Sequence, residues 1–182
     1  MFIRTQRLFL RPGWAEDWSE LFDRIADEGI VRNLSRAPWP YTPRDARDFV
    51  ALPASACCPR FLVTLPDADG AAVVGGAGLG RADDGRIELG YWIARDFWGR
   101  GIATEAASAV LDAARVLGHR RVIARHFVDN PASGRVLRKL GFRPTGAIVR
   151  IASAGRAEPA DAHSYELDLC APEGDAPMDM AA

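Results

Sequence analysis

Apolar residues recur along this chain with two different periods, and the changes from one period to the other divide it into elements. From Phe2 to Arg11, Ile3, Leu8 and Leu10 stand among polar neighbours, which reads as a first strand ended by Pro12 and Gly13. Trp18, Leu21, Phe22 and Ile25 then fall on one face of a helix predicted over Asp17 to Ala26. A short helix is expected around Ile30 to Leu34, before a loop with Pro38 and Pro40. Thr42 followed by Pro43 is a helix start, because threonine caps free N–H groups and proline fits the first helical position. That helix is expected to reach Leu52 with Phe49 inward.

The period then shortens. Arg60 to Leu65 and Ala72 to Leu79 read as a hairpin joined by Pro66-Asp-Ala-Asp-Gly70, and Ala82 to Arg86 turns again into a strand over Ile87 to Ala94. Ala106 to Leu117 is apolar at helical spacing and ends at Gly118. A strand over Arg121 to Phe127, a helix over Pro131 to Leu140 closed by Gly141, and strands over Phe142 to Ile151 and His163 to Leu169 follow. Seven strands in this order make an α+β pattern with one central strand–helix–strand crossover. The periodicity stops at Ala171, so a single domain over residues 1–170 with a disordered tail over 171–182 is expected.

Composition narrows the function classes. The 182 residues suit one core, and 48% hydrophobic content excludes a disordered chain. A net charge of −1 gives no global attraction to nucleic acid or an anionic membrane. No apolar run is long enough to span a bilayer, and Met1-Phe-Ile-Arg-Thr lacks the basic-then-apolar pattern of a secretory leader. Cys57, Cys58 and Cys170 have neither disulfide-framework nor metal-ligand spacing and read as free thiols, consistent with a cytoplasmic location. His119, His126 and His163 form no ligand set with other residues.

The distinctive stretch is Arg95-Asp-Phe-Trp-Gly-Arg-Gly-Ile-Ala-Thr-Glu-Ala-Ala107, which links a strand to a helix through Gly99 and Gly101. First-turn N–H groups have no partner within a helix, and the positive end of its dipole lies there, so such a turn can hold an anion. The spacing fits neither a dinucleotide turn nor a P-loop, and a tight turn without a ligand is the alternative.

Glu88-Leu-Gly-Tyr-Trp-Ile-Ala, Trp98-Gly-Arg-Gly-Ile-Ala-Thr-Glu-Ala, Asn130-Pro-Ala-Ser133 and Leu137-Arg-Lys-Leu-Gly-Phe142 occur in this order. As a set they resemble the GNAT superfamily of acyl-CoA-dependent N-acyltransferases. Thr5-Gln-Arg-Leu-Phe-Leu-Arg-Pro12 and Trp39-Pro-Tyr-Thr42 look like its branch of ribosomal-protein N-terminal acetyltransferases of the RimJ/RimL kind. The resemblance implies a mixed, mostly antiparallel sheet whose parallel fourth and fifth strands splay into a cleft for a pantetheine arm. It implies acetyl-CoA as cofactor and an amine acceptor (a peptide N-terminus or a small molecule); the oligomeric state is left open between a monomer and a homodimer.

Site residues follow by the same resemblance. The diphosphate is assigned to Trp98, Gly99, Arg100, Gly101, Ile102 and Ala103, with the Thr104 hydroxyl added; Arg100 is either a phosphate partner or a solvated surface group. Pantetheine is expected along Tyr91, Trp92, Ile93 and Ala94, with the N–H of Ile93, or of Trp92, facing the thioester oxygen.

Glu88, a carboxylate in an apolar strand, is the candidate base, directly or through water. The other reading of Glu88 is a group that meets water or pairs with an arginine. Glu105 reads as a structural first-turn acid, and Glu166 as a reserve base. Asn130 caps the next helix and is expected to touch the cofactor; Ser133, near the expected sulfur, is a candidate acid. The tyrosine that many members carry in this helix is replaced by Arg138, which leaves Ser133, a water or no dedicated acid. A non-catalytic acyl-CoA-binding module on the same scaffold is the competing reading.

Overall fold

The computed structural model describes residues 1–67 and 70–170. The N-terminal stretch is two strands, not one: β1 (Ile3–Arg4) and β2 (Phe9–Arg11), paired antiparallel. The Thr5 N–H donates to the Leu8 carbonyl, and the Leu8 N–H donates back to Thr5 Oγ1 at 2.9 Å. A threonine that offers its own side chain to the backbone competes with strand pairing, and that closes the turn.

Three helices follow: α1 (Trp18–Ile25), α2 (Glu28–Val31) and α3 (Pro43–Val50). Helix α2 begins earlier than the apolar residues suggested, because the Asp27 side chain accepts from the Gly29 N–H and caps it. Thr42 and Asp45 form a reciprocal capping box at α3, with Pro43 in the first turn.

The remaining strands are β3 (Arg60–Asp67), β4 (Gly70–Arg81), β5 (Ile87–Ile93), β6 (Arg121–Phe127), β7 (Arg143–Ile151) and β8 (Ala160–Asp168), with α4 (Ile102–Val116) between β5 and β6 and α5 (Pro131–Lys139) after β6. The expected Pro66–Gly70 turn is partly strand, since β3 reaches Asp67 and β4 starts at Gly70; its centre and the expected tail lie outside the described residues.

The sheet therefore has eight strands rather than seven, in the order β1-β2-β3-β4-β5-β6-β8-β7. Every adjacent pair is antiparallel except β5 and β6. Those two share a single bridge, Glu88 to Ile123. Beyond it β5 stays with β4 as far as Ile93, and β6 stays with β8 as far as Phe127, so the two halves of the sheet part.

Each face of the sheet has its own core. Leu89 and Ile93 of β5 pack with Ile102, Ala106 and Val110 of α4 and Leu137 of α5. Leu21, Ile25, Ile30 and Val31 pack with Leu62 and Val73 on the other face, and Trp92 joins them. Strand alternation thus puts Leu89, Tyr91 and Ile93 on the α4–α5 side, and Glu88 and Trp92 opposite. Burying a leucine or valine of this kind contributes about 1.5–3 kcal/mol, so both faces are strongly fixed.

Candidate active site

After β5 the chain makes one 3₁₀ turn, Arg95–Phe97, and enters the glycine turn. Gly99 and Gly101 both have positive φ, 74° and 76°, a region that costs other residues energy. Gly101 is the N-terminal cap of α4 and supplies no capping side chain. Among the described residues, no acceptor satisfies the N–H groups of Gly99 to Thr104. A Cβ at Gly99 would meet nothing within 4 Å, so the space over the turn is open. Open space, free donors and a helix dipole are what a diphosphate requires, so these residues fit the group.

The turn is held from below. Arg7 donates to the Arg100 carbonyl at 2.9 Å and to Glu105 at 2.7 Å, and the Thr5 hydroxyl donates to Glu105 at 2.6 Å. Burial pushes the Glu105 carboxyl up, but hydrogen bonds from Thr5 and Arg7 outweigh it and hold the group below its ordinary range. Glu105 is a tie between the β1–β2 turn and α4, the structural role anticipated for it. Arg100 is exposed and lies over the Phe97 ring at 5.3 Å.

The end of β5 has a defined register. The Ala94 N–H donates to the Val74 carbonyl of β4 at 2.9 Å. Antiparallel alternation then turns the Trp92 N–H toward β4 as well, and the N–H groups of Tyr91 and Ile93 toward the cleft. Of the two expected oxyanion donors, only Ile93 faces the open side. The Ile93 carbonyl accepts from the Trp98 indole at 2.6 Å, so Trp98 fastens the glycine turn to the strand end.

On the face opposite α4, Glu88 is bound by Arg125 of β6 through both oxygens, at 2.8 Å each. Their side chains are only 22% and 21% exposed. Glu88 is therefore not an isolated carboxylate among apolar groups; the register that pairs Glu88 with Ile123 brings the guanidinium of Arg125 against it. The arginine alternative is the one realised. Hydrogen bonding to Glu88 holds the Arg125 guanidinium even further above its ordinary value. A groove of about 260 Å³ opens beside Arg125, walled by Arg86, Ile123, Thr145, Val149 and Ser164. Arg125 escaped the sequence reading, although an arginine inside an otherwise apolar strand was the available signal.

On the α4–α5 side, Asn130 Oδ1 accepts from the Ser133 N–H at 3.4 Å and caps α5. Ser133 Oγ lies 2.8 Å from the Tyr91 hydroxyl, which also reaches the Ser133 carbonyl at 3.3 Å. Burial pushes the Tyr91 hydroxyl up to about 12, against the smaller opposing effect of Ser133. Tyr91 is expected to contribute its backbone; the structure sets its side chain against Ser133 as well. Arg138, at the position where a tyrosine was missed, donates instead to the Tyr165 hydroxyl at 3.3 Å. His126 lies beneath Gly134, with Nδ1 at 2.9 Å from the Phe127 carbonyl, and is a satisfied buried histidine. Glu166 lies on β8 opposite Ile123, with no hydrogen bond to the Glu88–Arg125 pair.

Comparison with known proteins agrees with this geometry. Residues 7–143 match the acetyltransferase (GNAT) domain model. The chain is 28% identical over 153 residues to the uncharacterized N-acetyltransferase p20 of Bacillus licheniformis, covering 80% of this chain and 84% of that protein. The crystal structure of a GNAT-family acetyltransferase from Bacillus anthracis superposes with a TM-score of 0.76 at 25% identity, over 93% of this chain and 99% of that one. RimL, a ribosomal L7/L12 alpha-N-protein acetyltransferase solved in complex with coenzyme A, shares the fold with a TM-score of 0.74 at 19% identity, over 92% of this chain and 98% of its own. With three quarters of its length matched by the family model and its sheet parted at β5 and β6, the chain belongs to the GNAT acetyltransferase family.

Proposed function

We propose that the protein is an acetyl-CoA-dependent N-acetyltransferase that acts on a primary amine, either a peptide N-terminus or a small molecule. The observation that carries this reading is the glycine turn, open over Gly99, whose N–H groups from Gly99 to Thr104 have no partner among the described residues at the dipole's positive end. Those groups would hold the diphosphate, with Trp98 beneath and Arg100 free to reach a phosphate. The open edge of β5 from Tyr91 to Ala94 would take the pantetheine arm as an added strand. RimL, solved with coenzyme A, supports this choice of ligand, and its acceptor, a protein N-terminus, motivates the peptide half of the proposal. Acetyl-CoA supplies an already activated acyl thioester, which leaves four tasks to the protein.

Holding the coenzyme is the first, and falls to residues 91–94 and 98–104 with Asn130. The Ile93 N–H donates to the carbonyl oxygen where charge develops. Glu88 accepts the amine's proton through a water, using lone pairs that Arg125 leaves free. Ser133 meets the departing sulfur. The acceptor enters along the groove beside Arg125, on the face that α4 and α5 leave open.

A second reading, a non-catalytic acyl-CoA-binding module, draws support from the Arg125 clamp on Glu88. Free-thiol release from acetyl-CoA, measured against peptides with free N-termini and a panel of small amines, separates the two. Turnover with at least one amine is expected. Saturable coenzyme binding without turnover for any acceptor would favour the module, and no binding at all would overturn both.

A further inference from the structure

We propose that Cys57 and Cys58, with Ser55 and Arg81 beside them, form a peroxide-reactive site in which Cys57 is oxidised first and Cys58 captures the product as a disulfide. The pair lies on the segment between α3 and β3, outside the acetyl-transfer machinery, and does not depend on the coenzyme reading.

The geometry comes first. Cys57 is exposed, whereas Cys58, one residue on, is only 7% exposed and belongs to the core on the α4 side of the sheet. The Ser55 hydroxyl oxygen accepts from the Cys58 N–H at 3.2 Å and lies 3.6 Å from Cys57 Sγ. An oxygen that already accepts from an N–H can still aim its own proton at the sulfur. Arg81, the last residue of β4, brings Nη2 to 3.9 Å from the same Sγ. That arginine is held in place, because Nη1 donates to the Gly85 carbonyl at 3.3 Å and its own carbonyl accepts from Arg36 at 3.1 Å. The Cys57 backbone is anchored as well, with its carbonyl 2.7 Å from His119 Nε2. The outer sulfur therefore meets solvent with a hydroxyl and a guanidinium at its side, and the inner sulfur waits behind it.

The chemistry follows from that contrast. A thiolate, not a thiol, attacks a peroxide, and nearby donors and cations favour the thiolate. The Ser55 hydroxyl first, then Cys58 and the Arg81 guanidinium, hold the Cys57 thiol below its ordinary value. Burial first, then Cys57, push the Cys58 thiol up, so the inner group keeps its proton until it meets an oxidised neighbour.

In the first step Cys57 sulfur bonds to one peroxide oxygen and the oxygen–oxygen bond breaks. The sulfur becomes a sulfenic acid, and the peroxide is reduced, its second oxygen leaving as water. In the second, Cys58 sulfur bonds to Cys57 sulfur, the sulfur–oxygen bond breaks, and the hydroxide takes the Cys58 proton as a second water. Two thiols and one hydrogen peroxide thus give one disulfide and two waters. Adjacent Cα atoms are about 3.8 Å apart, below the range of about 4.4–6.8 Å that most disulfides adopt, so other thiols reopen the ring readily.

Cys170 is the internal control. It is exposed like Cys57, but its N–H donates to Asp168 at 2.9 Å, and no arginine hydrogen bond reaches its sulfur among the described residues.

The test uses the full, reduced chain and peptide mass spectrometry. With limiting iodoacetamide near neutral pH, Cys57 is expected to react about tenfold faster than Cys170, and Arg81→Gln to slow Cys57 about threefold or more while leaving Cys170 unchanged. Both differences should vanish in urea. With hydrogen peroxide, the peptide holding Cys57 and Cys58 should lose two hydrogens and regain them with dithiothreitol. Cys58→Ser should instead accumulate a sulfenic acid at Cys57, trapped by a cyclic 1,3-dione. Cys57 reacting no faster than Cys170 overturns the proposal on the wild-type protein alone. A selectivity that survives urea, a Cys57 rate indifferent to Arg81→Gln, or a peroxide product that joins Cys170 instead overturns it too.

Discussion

Two ion pairs show how differently the same chemistry acts by location. Arg11 and Asp17 are joined by bonds of 2.6 and 2.7 Å with side chains 9% and 8% exposed, and Asp17 also accepts from the Trp14 N–H. Asp17→Asn would leave a buried guanidinium without its counter-charge, and an expected loss of about 3–5 kcal/mol should appear in urea denaturation. Glu88 and Arg125 are linked equally well but are more exposed, at 22% and 21%, and Arg125 lines the groove. If Glu88 handles the amine's proton, Glu88→Gln should lower turnover about 10²-fold and leave coenzyme affinity unchanged, because the amide keeps the shape and loses the base. A rate near that of the wild type would reduce Glu88 to a structural partner of Arg125. The residue type of Glu88 was legible in the sequence. Its partner was not, since Arg125 is 37 positions away and only the Glu88–Ile123 register brings it near.

At the scale of elements, the glycine turn is where sequence and structure coincide most closely. Gly99-Arg-Gly101 needs positive φ at both glycines, and that need is local. Gly101→Val should therefore weaken coenzyme A binding by tenfold or more in calorimetry, through a β-branched residue forced to φ near 76°. Unchanged affinity would remove the turn from the binding site. Gly134 is a different case. A Cβ there would lie 2.6 Å from His126 Nε2, so Gly134→Ala should cost about 1–3 kcal/mol through packing between α5 and β6, read from the denaturation midpoint. The strand break at Thr5 did carry a signal: Ile3 and Leu8, five positions apart, would fall on opposite faces of one continuous strand, and the turn at Thr5 resolves that change of phase.

For the molecule as a whole, the two halves of the sheet meet at one bridge, and the segments around them add further ties, among them the Ala154 N–H donating to the Ser35 carbonyl at 3.0 Å. Asp129, before α5, is held by Arg156 at 2.8 Å and by Arg32, after α2, at 2.7 Å. Stability should follow pH in two stages. Burial lowers the proton affinity of His126, so its contribution is whole above the ordinary histidine value of 6.5 and lost as pH falls below it. The carboxylates come next. Burial pushes Asp17 up, but Arg11 and the Trp14 N–H outweigh it; Arg156 lowers Asp129 directly. Both contribute fully above the ordinary value of 3.8 and lose that contribution as pH falls through their depressed folded values. Urea midpoints should thus decline gently below pH 6.5 and steeply below about pH 4. His126→Gln should abolish the first decline only; a first decline that persists in this variant would assign it elsewhere.

The sequence by itself determined what is local: the periods that made helices and strands, the caps at Thr42 and Asn130, and the glycines that turn β5 into α4. The ordered motifs also carried the family. Tertiary structure alone decided what depends on register and on parting strands. It placed the Ile93 N–H, not that of Trp92, on the open side, set Arg125 against Glu88, and brought the Tyr91 hydroxyl to Ser133 across 42 positions. The physical reason is that side-chain periodicity says which face a residue takes, whereas the partner on that face is set by how distant strands align, and a shift of one residue would exchange every pair.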